Sequence, residues 1–277
     1  MTAVIEIALM IEGQDGLNWN RWQKIARVAE DSGYVGLYRS DHFTNPSGPY
    51  KDSLECWTSL TWLATNSSRL DFGPLVSPMS FRHPSMLVRM AAALSDLSDG
   101  RLQFGLGAGW QEREHTNYGY FLGTVPERMA RFRESVQIMS HLLRSEEPLT
   151  FDGKYYKLHE AVLLSRPKHH VPVVIGGSGR QVTLPLVARY ADEWNTGSKP
   201  AEQYKELNAH LDALLDKAGR PRSAVRRSVM TFIRDRTPEQ VKEEVMALEA
   251  AGCQRVMLNW PRFDDTVGIA ALAKALV

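Results

Sequence analysis

The sequence predicts an α/β fold, a (β/α)8 TIM barrel with short insertions after the fourth strand, and three observations predict it. Apolar residues alternate between period-two and helical runs, giving eight strands and eight helices in turn. Alternating βα units imply a parallel sheet covered by helices, and eight such units close naturally into a barrel. The 277 residues suit a fold that takes ~250, and no low-complexity linker divides them, so residues 1–277 read as one domain. A doubly wound open sheet is the rival arrangement, but no switch-point signal supports it.

The first strand is residues 4–10, followed by an amphipathic helix, 19–32, that Gly33 stops. The second strand is 34–40 and its helix 54–66. The third strand, 70–76, leads to a helix over 84–98 with Pro84 in its first turn, where a missing N–H costs nothing. In the fourth strand, 102–106, Leu102, Phe104 and Leu106 alternate with Gln103 and Gly105. The rhythm then breaks. Residues 111–124 form a polar, aromatic-rich loop before a helix at 126–143, and 148–167 make a second excursion. Within it, 151–156 read as a hairpin with an Asp-Gly turn. Strand five, 171–175, ends in Gly176-Gly177-Ser178-Gly179 and a helix follows through Tyr190. Strands at 193–196, 225–233 and 255–259 alternate with helices at 201–218, 237–250 and 264–277, with Thr237 as N-cap ahead of Pro238.

Composition narrows the function. Lys+Arg 33 against Asp+Glu 32 leaves a net charge of +1, so no basic field points to nucleic acid or to a membrane surface. Cys56 and Cys253 read as buried thiols of a reducing compartment. The N-terminal apolar run is too short to span a bilayer and lacks a basic start, which makes a cytoplasmic location the expectation. There is no metal-ligand spacing and no Gly-x-Ser-x-Gly elbow.

In a barrel, ligand groups sit at the C-terminal ends of the strands. Gly105, Gly107 and Gly109 strip side chains from the end of strand four. They either fit the taper of the interior or let backbone approach a ligand. Their spacing is not GxGxxG, and no GxxxxGK[ST] is present. Gly176-Gly177-Ser178-Gly179 opens a helix after a strand, where free N–H groups favour an anion. Together the two loops point to a flat, phosphate-bearing cofactor at the barrel mouth. Asp41-His42 is either a helix-entry cap or a catalytic pair, and Glu12 either a solvated carboxylate or a site acid. His83 reads as a capping residue, and His169-His170 as surface on the opposite side.

Ser40-Asp41-His42, Pro74-Leu75-Val76-Ser77-Pro78 with Arg82-His83-Pro84 behind it, residues 100–115, Ile175-Gly176-Gly177-Ser178-Gly179 and residues 189–195 resemble the luciferase-like monooxygenase superfamily. Within it they are most similar to the bacterial deazaflavin-dependent oxidoreductases. The resemblance covers nearly the whole chain in order. It implies a barrel that binds coenzyme F420 or FMN. Carried over by position, it places Asp41 and His42 at the ring edge, with His42 the proton donor. Pro74, Leu75 and Ser77 become a bulged third strand behind the ring, with a cis bond expected between Pro74 and Leu75. Gly107, Ala108 and Gly109 run along the cofactor, and Gly176, Gly177 and Ser178 hold its phosphate. Glu12 falls near a family carboxylate, with Gln14 the alternative. The family's Asn after the strand-four glycines has no counterpart; Gln111 and Arg113 are nearest.

The expectation is therefore an oxidoreductase that passes a hydride between coenzyme F420 and a small organic substrate, with His42 and Glu12 as acid–base groups. F420 is preferred to FMN because its ring carbon confines the chemistry to hydride transfer, and the insertions are small for protecting an oxygen intermediate. Lys199, Arg113 and Arg180 stand near the mouth, either meeting the cofactor's acidic tail or simply solvated. An FMN-dependent luciferase-like monooxygenase using molecular oxygen and a non-catalytic flavin- or deazaflavin-binding protein are the alternatives. A small-molecule substrate is the expected partner, with homodimerisation open.

Overall fold

The structure, a computed structural model, describes residues 5–276, so Val4 and Val277, the ends of two expected elements, lie outside the described residues. Strand β1 (Glu6–Ile11) is buried along nearly its whole length. That is the pattern of a parallel strand with helices on one side and a barrel interior on the other. It pairs in parallel with both β2 (Gly36–Arg39) and the last strand, β11 (Arg255–Asn259), so the two ends of the chain are neighbours in the sheet. Helices α1 (Trp19–Asp31) and α2 (Cys56–Asn66) join β1 to β2 and β2 to β3 (Asp71–Pro74). Asn18 caps α1, its side-chain oxygen accepting the Arg21 N–H at 3.1 Å.

The third barrel strand is built in two pieces. β3 pairs with β2, and a short β4 (Ser77–Pro78) pairs with β5 (Phe104–Gly107) on the far side of α3 (Pro84–Leu97). Phe72 bridges to Leu102 and closes the ring. Between the pieces the Leu75–Val76 peptide is cis, one residue beyond the expected Pro74–Leu75 bond. The reason is in the ladder: Pro74 pairs with Arg39, and the Leu75 N–H still donates to the Arg39 carbonyl at 2.7 Å. The chain leaves the sheet only after that bond is made.

After β5, the segment expected as loop holds a helix, α4 (Glu112–Tyr118). Glu112 and Glu114 in its first turn suit the positive end of the helix dipole, and Gly119 ends it with φ 73°. α5 (Val125–Arg144) starts on a reciprocal Thr124–Glu127 cap. The expected hairpin forms from β6 (Leu149–Asp152) and β7 (Lys157–Ala161), outside the barrel. Its turn docks on α5 through Glu134, which accepts N–H bonds from Lys154, Tyr155 and Tyr156. The barrel resumes with β8 (Val173–Gly176), α6 (Thr183–Tyr190), β9 (Glu193–Gly197), α7 (Ala201–Lys217), β10 (Arg226–Phe232), α8 (Pro238–Ala250), β11 and α9 (Thr266–Leu276).

Two layers fill the barrel interior. At the N-terminal end Arg255 is almost fully buried and reaches Glu6 at 2.7 Å, Asp71 at 2.9 Å, Glu193 at 3.2 Å and the Tyr38 hydroxyl at 2.5 Å. Burial disfavours its charge, but these partners outweigh burial and hold the guanidinium protonated. Above it lie Ala8, Met10, Tyr38 and Met257, with Leu75 and Met230 packed against them. That apolar layer is the floor of the mouth.

Candidate active site

A cavity of about 630 Å³ opens at the C-terminal ends of the strands. Val76, from the break in the third strand, stands in its wall beside Gly107 and Gly176. A Cβ at Gly107 would come within 2.3 Å of Val76 Cγ2, and one at Gly176 within 3.0 Å of Val76 Cγ1. These two glycines therefore make room for a neighbouring side chain. Gly105 answers to backbone: a Cβ there would lie 1.9 Å from the Pro74 carbonyl oxygen. The interior-packing explanation fits Gly105 and Gly107, and Gly176, expected in the phosphate loop, shares the Val76 contact. Gly109, with φ +84°, is instead a turn that only glycine adopts readily.

His42 follows β2 and lines the cavity. Its Nδ1 lies 2.8 Å from Glu114 Oε1, and Glu114 Oε2 accepts the Phe43 N–H at 2.9 Å. Glu114 is 1% exposed. The Gln111 amide nitrogen is 3.3 Å from the same Nδ1, but it donates at 2.9 Å to the Thr44 carbonyl. The carboxylate contact is shorter and charge-assisted, so it sets the tautomer: Nδ1 carries the hydrogen, and among the described residues Nε2 has no hydrogen-bond partner. Burial opposes a charge on His42. The Glu114 hydrogen bond and charge, helped by Glu12 and Asp41, outweigh it and raise its pKa above the ordinary histidine value. Trp110 stands edge-on to the imidazole, ring centres 5.7 Å apart. Glu12 also lines the cavity, held by Gln14 at 2.8 Å and Asn259 at 3.4 Å.

The sequence-derived residues divide into two groups. Glu12, His42, Leu75, Gly107, Ala108, Gly109, Gly176 and Gly177 are in the cavity wall. Asp41, Pro74, Ser77 and Ser178 are not. Asp41 is turned away into an ion pair with Arg82 at 2.6 Å and accepts from Ser77 Oγ at 2.6 Å, while Ser77 accepts from the Trp57 indole at 3.0 Å. Both brace the strand ends from behind. Pro74 is occupied in the ladder. Arg113 fastens the 45–50 loop, bonding Asn45 and Gly48 and lying over Tyr50, and Arg180 pairs with Glu206.

The glycine loop after β8 does not run straight into a helix, because α6 begins only at Thr183. The Gly177 N–H is already used by the Asn195 carbonyl at 2.9 Å, and the Gly177 carbonyl accepts the Trp194 indole at 2.8 Å. Among the described residues, the amides of 178–181 have no protein acceptor. The free amides therefore begin one residue beyond Gly177.

Glu114 and Val76 carried no role in the sequence. Gln111, Glu114 and His115 share the inner face of α4 at helical spacing, but all are polar, so hydrophobic periodicity does not mark them. Among the described residues no group of three or more His, Cys, Asp or Glu forms a metal site, and no helix is long and apolar enough to cross a membrane.

Residues 4–269 match the family described as luciferase-like monooxygenase. The chain is 32% identical over 223 residues to an F420-dependent glucose-6-phosphate dehydrogenase of Kineococcus radiotolerans, covering 78% of this chain and 64% of that one. It is 30% identical over 189 residues to an F420-dependent hydroxymycolic acid dehydrogenase of Mycobacterium tuberculosis, covering 66% and 51%. The chain thus spans less than two thirds of the length of these curated relatives. In fold it is similar to an F420-dependent secondary alcohol dehydrogenase, with a TM-score of 0.87, 18% identity and 99% of both chains covered.

Proposed function

This chain belongs to the luciferase-like monooxygenase family, and from that premise we propose that its cavity binds coenzyme F420 and that His42 carries the proton for hydride exchange with a small organic substrate. The observation that carries this reading is the His42–Glu114 pair, which fixes one ring nitrogen and leaves the other free beside the cavity. Relatives named as F420-dependent dehydrogenases support the choice of cofactor. So do features of the chain. The acceptor-free amides of 178–181 suit a phosphate, and the shallow wall of Gly107, Ala108 and Val76 suits a flat ring. When bound, the deazaflavin supplies hydride chemistry. The protein positions, excludes water, and moves a proton at His42 Nε2, with Glu12 as a second ionisable group in the wall. Lys199, beyond β9, is the candidate contact for the acidic tail.

The test is titration of the cofactor-free protein with F420 and with FMN, followed by turnover assays. Binding of F420 with anaerobic turnover is expected. Tight FMN binding with oxygen-dependent turnover and no F420 affinity would replace this reading with a monooxygenase. Cofactor binding without turnover of any substrate would favour a carrier protein.

A further inference from the structure

The opposite end of the barrel holds a second cavity, of about 400 Å³, walled by Asp71, Gln103, Glu193, Ser223, Arg226 and Gln254. Inner positions of such a barrel are ordinarily filled by branched apolar side chains. Here they are polar and incompletely paired. Leu102, Phe104 and Leu106 pack into the core under the helices, so Gln103 faces the interior with Gly105. Gln103 is 6% exposed, and among the described residues its side-chain amide has no hydrogen-bond partner. Glu193, at the start of β9, is 1% exposed. Its Oε2 accepts from Arg255 at 3.2 Å, while Oε1 is buried and, among the described residues, unpartnered. Asp71 accepts from the same guanidinium at 2.9 Å through Oδ2 only. One arginine thus sets the two carboxylates side by side.

The charges do not balance either. Glu6, Asp71 and Glu193 all pair with Arg255, and the one other cation they share is Arg226, 3.5 Å from Glu193 and 3.8 Å from Glu6. Three carboxylates therefore meet two guanidinium groups. Asp192 at the rim is matched separately, by Arg144 at 3.0 Å and His170 at 3.2 Å. Burial lifts the Asp71 carboxyl above its ordinary pKa in spite of Arg255, so added positive charge is favoured there.

We propose that this cavity is a second ligand site, separate from the barrel mouth, and that it takes a short aliphatic primary amine without a carboxylate. An ammonium group brings the missing charge and three N–H donors, matching Glu193 Oε1, Asp71 Oδ1 and the Gln103 amide oxygen. A water molecule supplies hydrogen bonds but no charge. Gln254 Oε1 is occupied by the Arg227 N–H at 2.8 Å, which leaves its NH2 group for a hydroxyl on the ligand. A ligand carboxylate would lie against Asp71 and Glu193, which disfavours amino acids and simple acids. The site needs nothing from the cofactor.

The test is calorimetric titration of the full chain with ethanolammonium chloride, against sodium chloride at matched ionic strength, and with glycine and sodium acetate. Saturable binding of ethanolammonium is expected, about tenfold or more tighter than glycine, with no response to acetate. Gln103→Leu leaves the Arg255 pairs untouched and should weaken ethanolammonium by about tenfold, the worth of one hydrogen bond to a charged group. Gln103→Asn keeps the amide but withdraws it by one methylene; it should weaken binding likewise, and it serves if the leucine variant does not fold. Glu12→Gln, in the mouth, should leave the affinity unchanged. No saturable response to ethanolammonium means that the cavity holds water only, and overturns the proposal. Undiminished affinity in the Gln103 variants overturns it too, as does a loss confined to Glu12→Gln, which would put the amine at the mouth.

Discussion

Replacing Glu114 with glutamine changes one charge at the centre of the site and almost no volume. The consequence follows from its two contacts. Glu114 Oε2 accepts the Phe43 N–H at 2.9 Å, and Oε1 receives His42 Nδ1 at 2.8 Å. In Glu114→Gln the remaining oxygen must stay on the Phe43 N–H, since an amide nitrogen there would set donor against donor. The new NH2 group then faces His42 Nδ1 and requires an acceptor, so the ring hydrogen moves to Nε2. The nitrogen facing the cavity loses its lone pair and the imidazolium loses its counter-charge. General acid–base catalysis contributes ~10²–10⁴-fold, so kcat is expected to fall by about 100-fold or more, while cofactor affinity changes by less than about threefold. With Glu114 neutralised, burial is no longer outweighed, and the His42 midpoint falls below that of the parent protein.

Linkage adds a second readout. The folded-state pKa of His42 is raised, so its pairing contributes stability that is full below the unfolded value of about 6.5 and is lost as pH rises through the folded midpoint. Glu114→Gln flattens that slope. In the parent protein, the reductive direction of the proposed hydride exchange should decline and the oxidative direction rise with increasing pH through the same midpoint. The assay is an NMR titration of the His42 ring proton in both chains, paired with single-turnover rates. An unchanged midpoint together with an unchanged rate would refute the assignment of Nε2 as proton carrier.

Three further outcomes are expected. Gly107→Ala places a Cβ 2.3 Å from Val76 Cγ2, about 1.1 Å inside the 3.4 Å edge of ordinary contact; overpacking of this kind costs about 1–3 kcal/mol in denaturant unfolding, and Val76→Ala in the same chain should recover most of it. Simple additivity of the two losses would show that the side chains do not share that space. Gly177→Val strains a residue at φ +121° and crowds Thr183 at 3.3 Å, displacing the neighbouring free amides; F420 affinity should drop at least tenfold while the fold loses only about 1–3 kcal/mol, and unchanged affinity would move the phosphate elsewhere. Arg82→Met leaves Asp41 buried without its ion pair, a loss of about 3–5 kcal/mol on chemical denaturation, whereas the double change Arg82→Met, Asp41→Asn should cost much less. Equal losses in the two chains would mean that packing of Arg82, and not its charge, is what counts.

The barrel was legible because its information is periodic. Buried parallel strands and amphipathic helices repeat eight times, and Gly33, Pro84 and Thr237 punctuate them where expected. β11 falls at residues 255–259 as expected, and α1 differs from its expected range only at its last residue. What resisted was non-periodic. The third strand leaves the sheet one bond later than expected because the Leu75 N–H still has a ladder partner, a detail of pairing that no single strand reveals. α4 was missed because Gln111, Glu114 and His115 are buried polar residues, so the inner face of the helix looks like a solvated loop. Asp41 and His42 are adjacent in sequence yet face opposite ways, one into an ion pair and one into the cavity. Adjacent residues on extended backbone separate in this manner, and motif matching alone cannot say which of the two meets the ligand.

α4 also governs how the mouth can move. Its first turn grips the loop after β2 at successive points: Glu114 holds His42 and Phe43, Gln111 holds Thr44, and Arg113 holds Asn45 and Gly48. Five contacts over so short a stretch make helix and loop one mechanical piece spanning the rim between the second and fourth strands. Any opening that admits a substrate by swinging α4 outward must carry the imidazole with it. Withdrawal of His42 from the cavity and widening of the mouth are then the same event.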